Sequence, residues 1–366
     1  MSSVFASLLL GSAAQAAPAV PPPPPVRVSA NPAKIELAIW NAGEISCDNG
    51  AVLPGSTLRT VKRTRHFPFR RVPRNVTYSF TLGNGSRAMS VTQVPQDRNP
   101  PVQSDFAPAI SASVFPAMDQ EANCEVTFTR EVTPIEEATL EDLVFYRVFD
   151  RSARVSRENW DVHFPGDCRK RPYRRPLLQA YPDFRELPQS PGAPDWMVMR
   201  YSTDEDGRAA GVELVASSGN EALNASGVEA ISQSRWTEAN RSGCVHYYWL
   251  ASDVIEAPEA PPESDFGEAP VACNLPSRWE TEPRLTYPNT FQRRGIEGWA
   301  ILRYDVAPWG QIGNVEVLDA QPAAEFAQTA TNVLRSAKFR PLDTGLKGCI
   351  ERVFFRLPEK PIDMEE

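Results

Sequence analysis

Two stretches of the chain carry the same alternation of apolar and polar residues. Residues 196–215 read WMVMRYSTDEDGRAAGVELV, and residues 299–318, which lie 103 positions later, read WAILRYDVAPWGQIGNVEVL. Each stretch is an apolar run, a turn that contains Gly207 or Gly310, and a second run rich in β-branched residues. Alternation around a glycine-bearing turn is typical of a β-hairpin, so each stretch predicts one.

A helix and a final strand are predicted after each hairpin. In the later copy Pro322 suits a first helical turn, and the apolar residues recur at helical spacing, namely at Phe326, Ala327, Ala330, Val333, Leu334 and Ala337. In the earlier copy Asn220 is a candidate N-cap, and the same face carries Leu223, Ala230 and Ile231. Residues 244–249 and 349–355 then predict the two final strands.

A more degenerate copy precedes these two. Residues Val76–Leu82 alternate well, Gly83–Gly85 predicts a turn, and Cys124–Phe128 predicts a final strand. Between the turn and that strand a short helix is predicted, in spite of Pro108, from Phe106, Ile110 and Val114. The chain is therefore predicted to be α+β, with three tandem β-β-α-β modules.

The six cysteines support the repeat. In chain order they form pairs separated by 77, 76 and 76 residues, which are Cys47–Cys124, Cys168–Cys244 and Cys273–Cys349. Six cysteines allow 15 connectivities, and the repeated spacing selects the one with a disulfide inside each module. There is no C-x-x-C motif, so neither a metal site nor a cofactor is expected. We expect each disulfide to stabilise its own module, with a separate core.

The N-terminal residues predict export. Val4–Ala16 is apolar or small and ends in the A-x-A pattern Ala14–Ala16, which predicts a signal peptide at 1–16. The alternative is a retained inner-membrane anchor, but a spanning helix needs roughly 20 apolar residues, and this run is shorter. The remaining predicted segments are a Pro-rich linker 17–34, modules 35–150, 151–252 and 271–360, and an acidic Pro-rich linker 253–270.

Charge and candidate chemistry argue against several functions. The net charge of −8 does not favour nucleic-acid binding, and His66, His163 and His246 are isolated from any catalytic motif, so an enzyme is not expected. Trp160, Trp196, Trp299 and Trp309 are interpreted as core or edge aromatics rather than a ligand cage.

Two basic clusters precede the first and second hairpins. The first comprises Arg59, Lys62, Arg63, Arg65, Arg70, Arg71 and Arg74, and the second comprises Arg169, Lys170, Arg171, Arg174 and Arg175. They are either solvated lead-in segments or contacts for an anionic envelope surface.

The third module resembles the TonB C-terminal domain. Its matching residues include Tyr287, Pro288, Gly298, Gly310, Phe339 and Pro341. The resemblance covers about Pro283 to Pro358. It is weak in the second module, where Tyr181-Pro182 and Trp236 remain, and in the first module only the order of elements matches.

The resemblance implies a periplasmic protein-binding module of a Gram-negative bacterium, related to TonB-dependent transport. Members of the family recruit an extended segment of a partner, such as the TonB box of an outer-membrane receptor, by adding it to the sheet. The edge strand implied here comprises Ile350, Glu351, Arg352, Val353, Phe354, Phe355, Arg356 and Leu357. The alternative is a structural envelope protein whose repeats contact peptidoglycan or outer-membrane components.

Overall fold

The computed structural model describes residues 35–67, 72–95, 105–149 and 155–358. The predicted signal peptide 1–16 and linker 17–34 lie outside the described residues, as do Arg70 and Arg71 of the first basic cluster. No described helix is both long and apolar enough to cross a membrane.

The first part of the chain forms a sheet with one short helix beneath it. Its elements are β1 (Glu36–Cys47), β2 (Val52–Leu53), β3 (Thr64–His66), β4 (Asn75–Leu82), β5 (Met89–Gln93), α1 (Phe106–Ser111) and β6 (Ala122–Pro134), and the helix α2 (Leu140–Phe149) follows. The strand order is β2-β1-β6-β4-β5, and β3 also pairs with β1.

The second and third parts repeat one arrangement. The second contains α3 (Arg157–His163), β7 (Pro176–Leu178), β8 (Asp195–Thr203), β9 (Ala209–Ser217), α4 (Glu221–Ser232), β10 (Arg235–Trp236) and β11 (Cys244–Leu250). The third contains β12 (Trp279–Thr281), α5 (Asn289–Arg293), β13 (Gly298–Val306), β14 (Ile312–Gln321), α6 (Ala324–Ser336), β15 (Lys338–Phe339) and β16 (Leu346–Phe355).

The β-β-α-β module is confirmed in all three parts. In each one the first strand of the hairpin lies in the middle, between the final strand and the second hairpin strand, which gives the orders β6-β4-β5, β11-β8-β9 and β16-β13-β14. The three predicted disulfides are present, one in each module: Cys47–Cys124, Cys168–Cys244 and Cys273–Cys349.

The module helices bury the predicted faces. The six apolar residues predicted for α6 and its C-terminal end are all buried, because their spacing places them on one side against the sheet. In the second module the Asn220 side chain accepts a hydrogen bond from the Leu223 N–H at 3.0 Å, so the predicted N-cap of α4 is confirmed.

Three details differ from the prediction. The helix α1 ends at Ser111, so Val114 lies beyond it and is exposed. The helix α6 begins at Ala324, so Pro322 precedes the helix instead of lying in its first turn. Trp196 and Trp299 are buried, but Trp309, in the β13–β14 turn, is 66% exposed and contributes little to the core.

The outer faces of the second and third sheets are both covered. Val144 and Val148 of α2 pack on Trp196 and Val198 of the second sheet. The predicted linker 253–270 joins the second and third modules and also packs along the third sheet, where Ala257, Ala260, Phe266 and Ala269 contact the Trp299 cluster. The indole N–H of Trp299 donates to the Pro258 carbonyl at 2.8 Å.

The first and third modules share one hydrophobic core. A single cluster of buried residues extends from Phe106 and Phe128 in the first module to Phe326 and Phe339 in the third. The Val91 N–H of β5 donates to the Pro322 carbonyl at 2.9 Å, which joins the two modules through their backbones. The expectation of three separate cores is therefore wrong, whereas the main core cluster of the second module consists of residues of that module alone.

Candidate strand-binding site

The strand β16 lies at one edge of the third sheet. It pairs antiparallel with β13, from Gly298 opposite Phe355 to Val306 opposite Leu346. Among the described strands β13 is the only one that pairs with β16. An edge strand of this kind presents unpaired backbone N–H and C=O groups on its other side.

The direction of the backbone groups of β16 follows from their partners at the end of the strand. The Phe355 carbonyl accepts from the Tyr287 hydroxyl at 3.4 Å, and the same hydroxyl donates to the Ile296 carbonyl at 2.7 Å. The Leu357 N–H donates to Glu297 Oε1 at 2.7 Å. Residues Phe355 and Leu357 therefore direct their backbone groups toward the segment that leads into β13.

Alternate residues of β16 direct their backbone groups to the free edge. In a strand, successive residues point their N–H and C=O groups to opposite sides. Because Phe355 points toward β13, Phe354, Arg352 and Ile350 point outward. The predicted edge residues Ile350–Phe355 thus lie in β16, whereas Arg356 and Leu357 lie beyond its last residue.

A charged pair lies along the inner face of β16. The Arg278 guanidinium donates to both carboxylate oxygens of Glu351, at 3.1 and 2.9 Å, and the Tyr304 hydroxyl donates to the same carboxylate at 3.4 Å. Burial raises the pKa of Glu351, although Arg278 opposes the shift. This network holds the lead-in segment against the strand.

The outer face of β16 carries a cation over an aromatic ring. The Arg352 guanidinium lies 5.0 Å from the centroid of the Phe354 ring, and its Nε atom is buried without a hydrogen-bond partner among the described residues. Phe354 is 36% exposed. At the far end Arg356 forms an ion pair with Glu297 at 2.7 Å. A guest strand would meet this mixed apolar and cationic surface.

The motif residues of the third module hold this sheet in shape. Tyr287 contacts the Phe355 ring in a T-shaped arrangement, and Pro288 is the N-cap residue of α5. A Cβ at Gly298 would lie 2.6 Å from the Gln321 carbonyl oxygen, so a larger residue would push the two hairpin strands apart. Their role is therefore to position β13 and β16.

The remaining motif residues join the hairpin turn to the segment after the helix. Gly310 has a φ of +87°, and a Cβ there would lie 2.0 Å from the Phe339 carbonyl oxygen. The Phe339 N–H donates to the Gly310 carbonyl at 3.0 Å, and its ring is buried against Trp279. Pro341 follows on the surface.

The corresponding edge of the first module is occupied by the chain itself. The strand β1 pairs antiparallel with β6 along its length, from Glu36 opposite Pro134 to Cys47 opposite Cys124. The strand β1 is not predicted by the sequence pattern, because Leu37–Trp40 is buried at four consecutive positions and a bulge between Ala42 and Ile45 shifts the register. Both features disrupt the alternation of apolar and polar residues from which a half-buried strand is predicted.

The third module is similar in sequence to known proteins. Residues 283–350 match the family described as Gram-negative bacterial TonB protein C-terminal. The chain is 28% identical to the protein TonB of Escherichia coli (strain K12) over 108 residues, which cover 30% of this chain and 42% of that protein. It is 34% identical to the protein TonB of Salmonella typhimurium over 71 residues, which cover 19% of this chain and 29% of that protein.

The chain therefore spans less than half the length of each of these relatives. The family match at 283–350 includes all six motif residues, from Tyr287 to Pro341. The predicted resemblance to the TonB C-terminal family is confirmed for the third module.

Proposed function

We propose that this chain is a periplasmic protein-binding module of the Gram-negative envelope that works with TonB-type transport and has no catalytic activity of its own. The third module would bind an extended segment of a partner, such as the TonB box of an outer-membrane receptor, by strand addition along β16. The observation that carries this proposal is the edge position of β16, with Ile350, Arg352 and Phe354 directed outward.

The first module supports the choice of the third. Its final strand β6 is paired on both sides, by β1 and by β4, so it offers no free edge. Its second hairpin strand β5 contacts the third module at Pro322. Strand addition at the final strand is therefore blocked in the first module, while no described strand pairs with the outer side of the equivalent strand β16 in the third.

Proline substitution tests the proposal, because proline removes an N–H and cannot donate to a guest strand. We expect Arg352→Pro to weaken the binding of a synthetic TonB-box peptide at least about tenfold, the equivalent of roughly 1.4 kcal/mol. Arg352→Ala keeps the N–H and is the matched control. Fluorescence anisotropy measures the affinity, and circular dichroism checks that both variants fold.

Wild-type affinity in a folded Arg352→Pro variant would argue against β16 as the docking edge. The second candidate function, a structural protein that contacts peptidoglycan, is tested separately with purified sacculi. Co-sedimentation of the protein with sacculi, together with no detectable binding of the peptide, would favour the structural role.

A further inference from the structure

The final strand of the second module has the same place in its sheet as β16. The strand β11 pairs antiparallel with β8, from Cys244 opposite Tyr201 to Leu250 opposite Asp195. Within the described part of the chain β8 is its only strand partner. The second module therefore has a free edge of its own.

The hydrogen bonds at the start of β8 define the orientation of this edge. The Trp196 N–H donates to Ser218 Oγ at 3.0 Å, and the Ser218 N–H donates to the Trp196 carbonyl at 2.9 Å, so Trp196 points toward the β9 side. Its neighbour Met197, and Met199 after it, consequently point toward β11.

The residues of β11 that face outward follow from this pattern. Met197 and Met199 lie opposite Tyr248 and His246, which therefore exchange backbone hydrogen bonds with β8. The alternate residues Val245 and Tyr247 direct their N–H and C=O groups away from β8. Their backbone groups are available to an added strand.

In the first module a strand of the same chain already occupies the edge that is equivalent to the free edge of β11. In the first module β1 pairs antiparallel with β6, which is the equivalent of β11, and a disulfide joins Cys47 to Cys124 at the end of the pairing. In the second module the equivalent disulfide, Cys168–Cys244, attaches a lead-in segment that does not pair with β11. The place that β1 occupies is thus not taken by a described strand.

The lead-in segment contacts β11 at two points on the helix side of the sheet, whereas its middle part, Pro176–Leu178, pairs with β10. It begins at Cys168, and twelve residues later the Ala180 carbonyl accepts from the Tyr248 hydroxyl at 3.1 Å. Tyr181 is 61% exposed and lies in a T-shaped contact with Tyr248. This segment, which contains the second basic cluster, is therefore attached to β11 near both ends of the strand.

Most of that cluster has no carboxylate partner. Arg169 forms an ion pair with Asp161, but no described carboxylate forms one with Lys170, Arg171, Arg174 or Arg175. Arg174 donates to the Tyr201 hydroxyl and lies 4.8 Å from the centroid of the Trp236 ring, which keeps its charge close to β11. Unpaired cations beside a free edge attract a guest strand that carries carboxylates.

We propose that the outward edge of β11 is a second strand-binding site, which takes an acidic extended peptide of a partner protein. Backbone hydrogen bonds to Val245 and Tyr247 would hold the peptide, and the cationic lead-in would select for negative charge. This site is distinct from β16, so a partner with two extended segments could be bound at both.

A synthetic peptide of alternating glutamate and valine, long enough to span β11, tests the proposal with the full-length protein. We expect it to bind with an affinity that falls as salt rises, whereas a peptide with lysine in place of glutamate binds at least about tenfold more weakly. Tyr247→Pro is expected to reduce binding at least about tenfold, and Tyr247→Ala is its control.

A second measurement does not depend on the fold of a variant. N-methylation of alternate peptide bonds in the peptide removes its hydrogen-bond donors, and we expect one of the two methylation registers to abolish binding to the wild-type protein. Replacement of Lys170, Arg171 and Arg175 together by glutamine should also abolish the preference for glutamate over lysine, because these three side chains are exposed and support no core contact.

The outcomes separate this site from β16. Binding of the acidic peptide that persists in Arg352→Pro but is lost in Tyr247→Pro supports the second site. Equal affinity for the acidic and the basic peptide, or equal affinity in a folded Tyr247→Pro variant, would overturn it. Binding of phosphatidylglycerol vesicles without binding of the peptide would also overturn it, and would assign the basic cluster to a lipid surface.

Discussion

Arg294 of the third module forms a buried ion pair with Asp105 of the first. Arg294 Nε lies 2.7 Å from Asp105 Oδ1, and both side chains are almost fully buried. The same guanidinium donates to the Thr60 carbonyl at 2.8 Å and to the Gly192 carbonyl of the second module at 2.9 Å. One arginine therefore contacts all three modules, and the repeats form one folded unit.

Removal of this arginine should be severely destabilising. Arg294→Ala leaves the Asp105 carboxylate buried without its counter-charge, and we expect the free energy of unfolding to fall by about 3–5 kcal/mol. Urea denaturation measures the change. Glu213→Ala removes an exposed ion pair to Arg200 and should cost at most about 1 kcal/mol, so it is the matched control. Equal losses in the two variants would contradict the role of Arg294.

The disulfides should not act independently, because the first and third modules share a core. We expect the double variant Cys273→Ala/Cys349→Ala to lose about 2–5 kcal/mol and to increase hydrogen exchange in the first module as well as in the third. The equivalent double variant at Cys168 and Cys244 should affect mainly the second module, whose core cluster is separate. Exchange measured by mass spectrometry distinguishes the two patterns, and a change confined to the third module would contradict the shared core.

Glu325 in the first turn of α6 should make stability depend on pH. Its Oε2 atom is buried without a partner among the described residues, and burial raises the pKa of the carboxyl group to about 7. A raised folded pKa means that the native state binds the proton more tightly than the unfolded state. The stability contribution is therefore present below a pH of about 4.5, the carboxyl's ordinary pKa, and is lost as the pH rises to about 7.

Glu325→Gln is uncharged at every pH and should remove this loss. We expect the variant to gain roughly 2 kcal/mol relative to the wild type when the pH is raised from 4.5 to 7.5. Thermal or urea unfolding at several pH values measures the difference. A constant difference between the two proteins across this range would show that Glu325 ionises freely in the folded state.

His246 on β11 should also make stability depend on pH, but with the opposite sign to Glu325: the protein loses stability as the pH falls. Burial and, to a smaller extent, the nearby charge of Arg174 together lower the pKa of its imidazole to about 4. The native state then binds the proton less tightly than the unfolded state. The stability contribution is present above a pH of about 6.5, the ordinary value, and is lost as the pH falls toward 4.

His246→Gln should therefore reduce acid sensitivity by roughly 2 kcal/mol between pH 7 and pH 4. Because Glu325 titrates in an overlapping range with the opposite sign, the wild-type curve alone does not separate the two groups. Each variant is compared with the wild type. Because the two contributions offset each other over this pH range, the stability of the wild type and of the double variant should change less with pH than that of either single variant. Acid sensitivity unchanged in His246→Gln would contradict the assignment.

The sequence pattern was sufficient to predict the repeated β-β-α-β module and its disulfides. The hairpins around Gly207 and Gly310, the apolar face of α6 and the N-cap Asn220 depend on residues close together in the sequence, where period and turn chemistry express the structure directly. The three disulfides were predicted for a different reason: a repeat places equivalent residues at equal intervals, so the equal cysteine spacings indicated the pairing. The edge strand, predicted as Ile350–Leu357, was inferred from the family resemblance together with the order of the strands.

Contacts between distant segments were decided only by the tertiary structure. The sequence of β1 has no clear alternation, because Leu37–Trp40 is buried at consecutive positions and a bulge follows. Nothing in the sequence around Arg294 distinguishes it from an exposed arginine. Its burial depends on Asp105, which lies 189 residues away in the chain. Arg352 and Tyr247 direct their backbone groups outward because the residues on either side of them hydrogen-bond to β13 and β8, respectively. These pairings cannot be predicted from local sequence, because each one depends on where a segment distant in the chain packs.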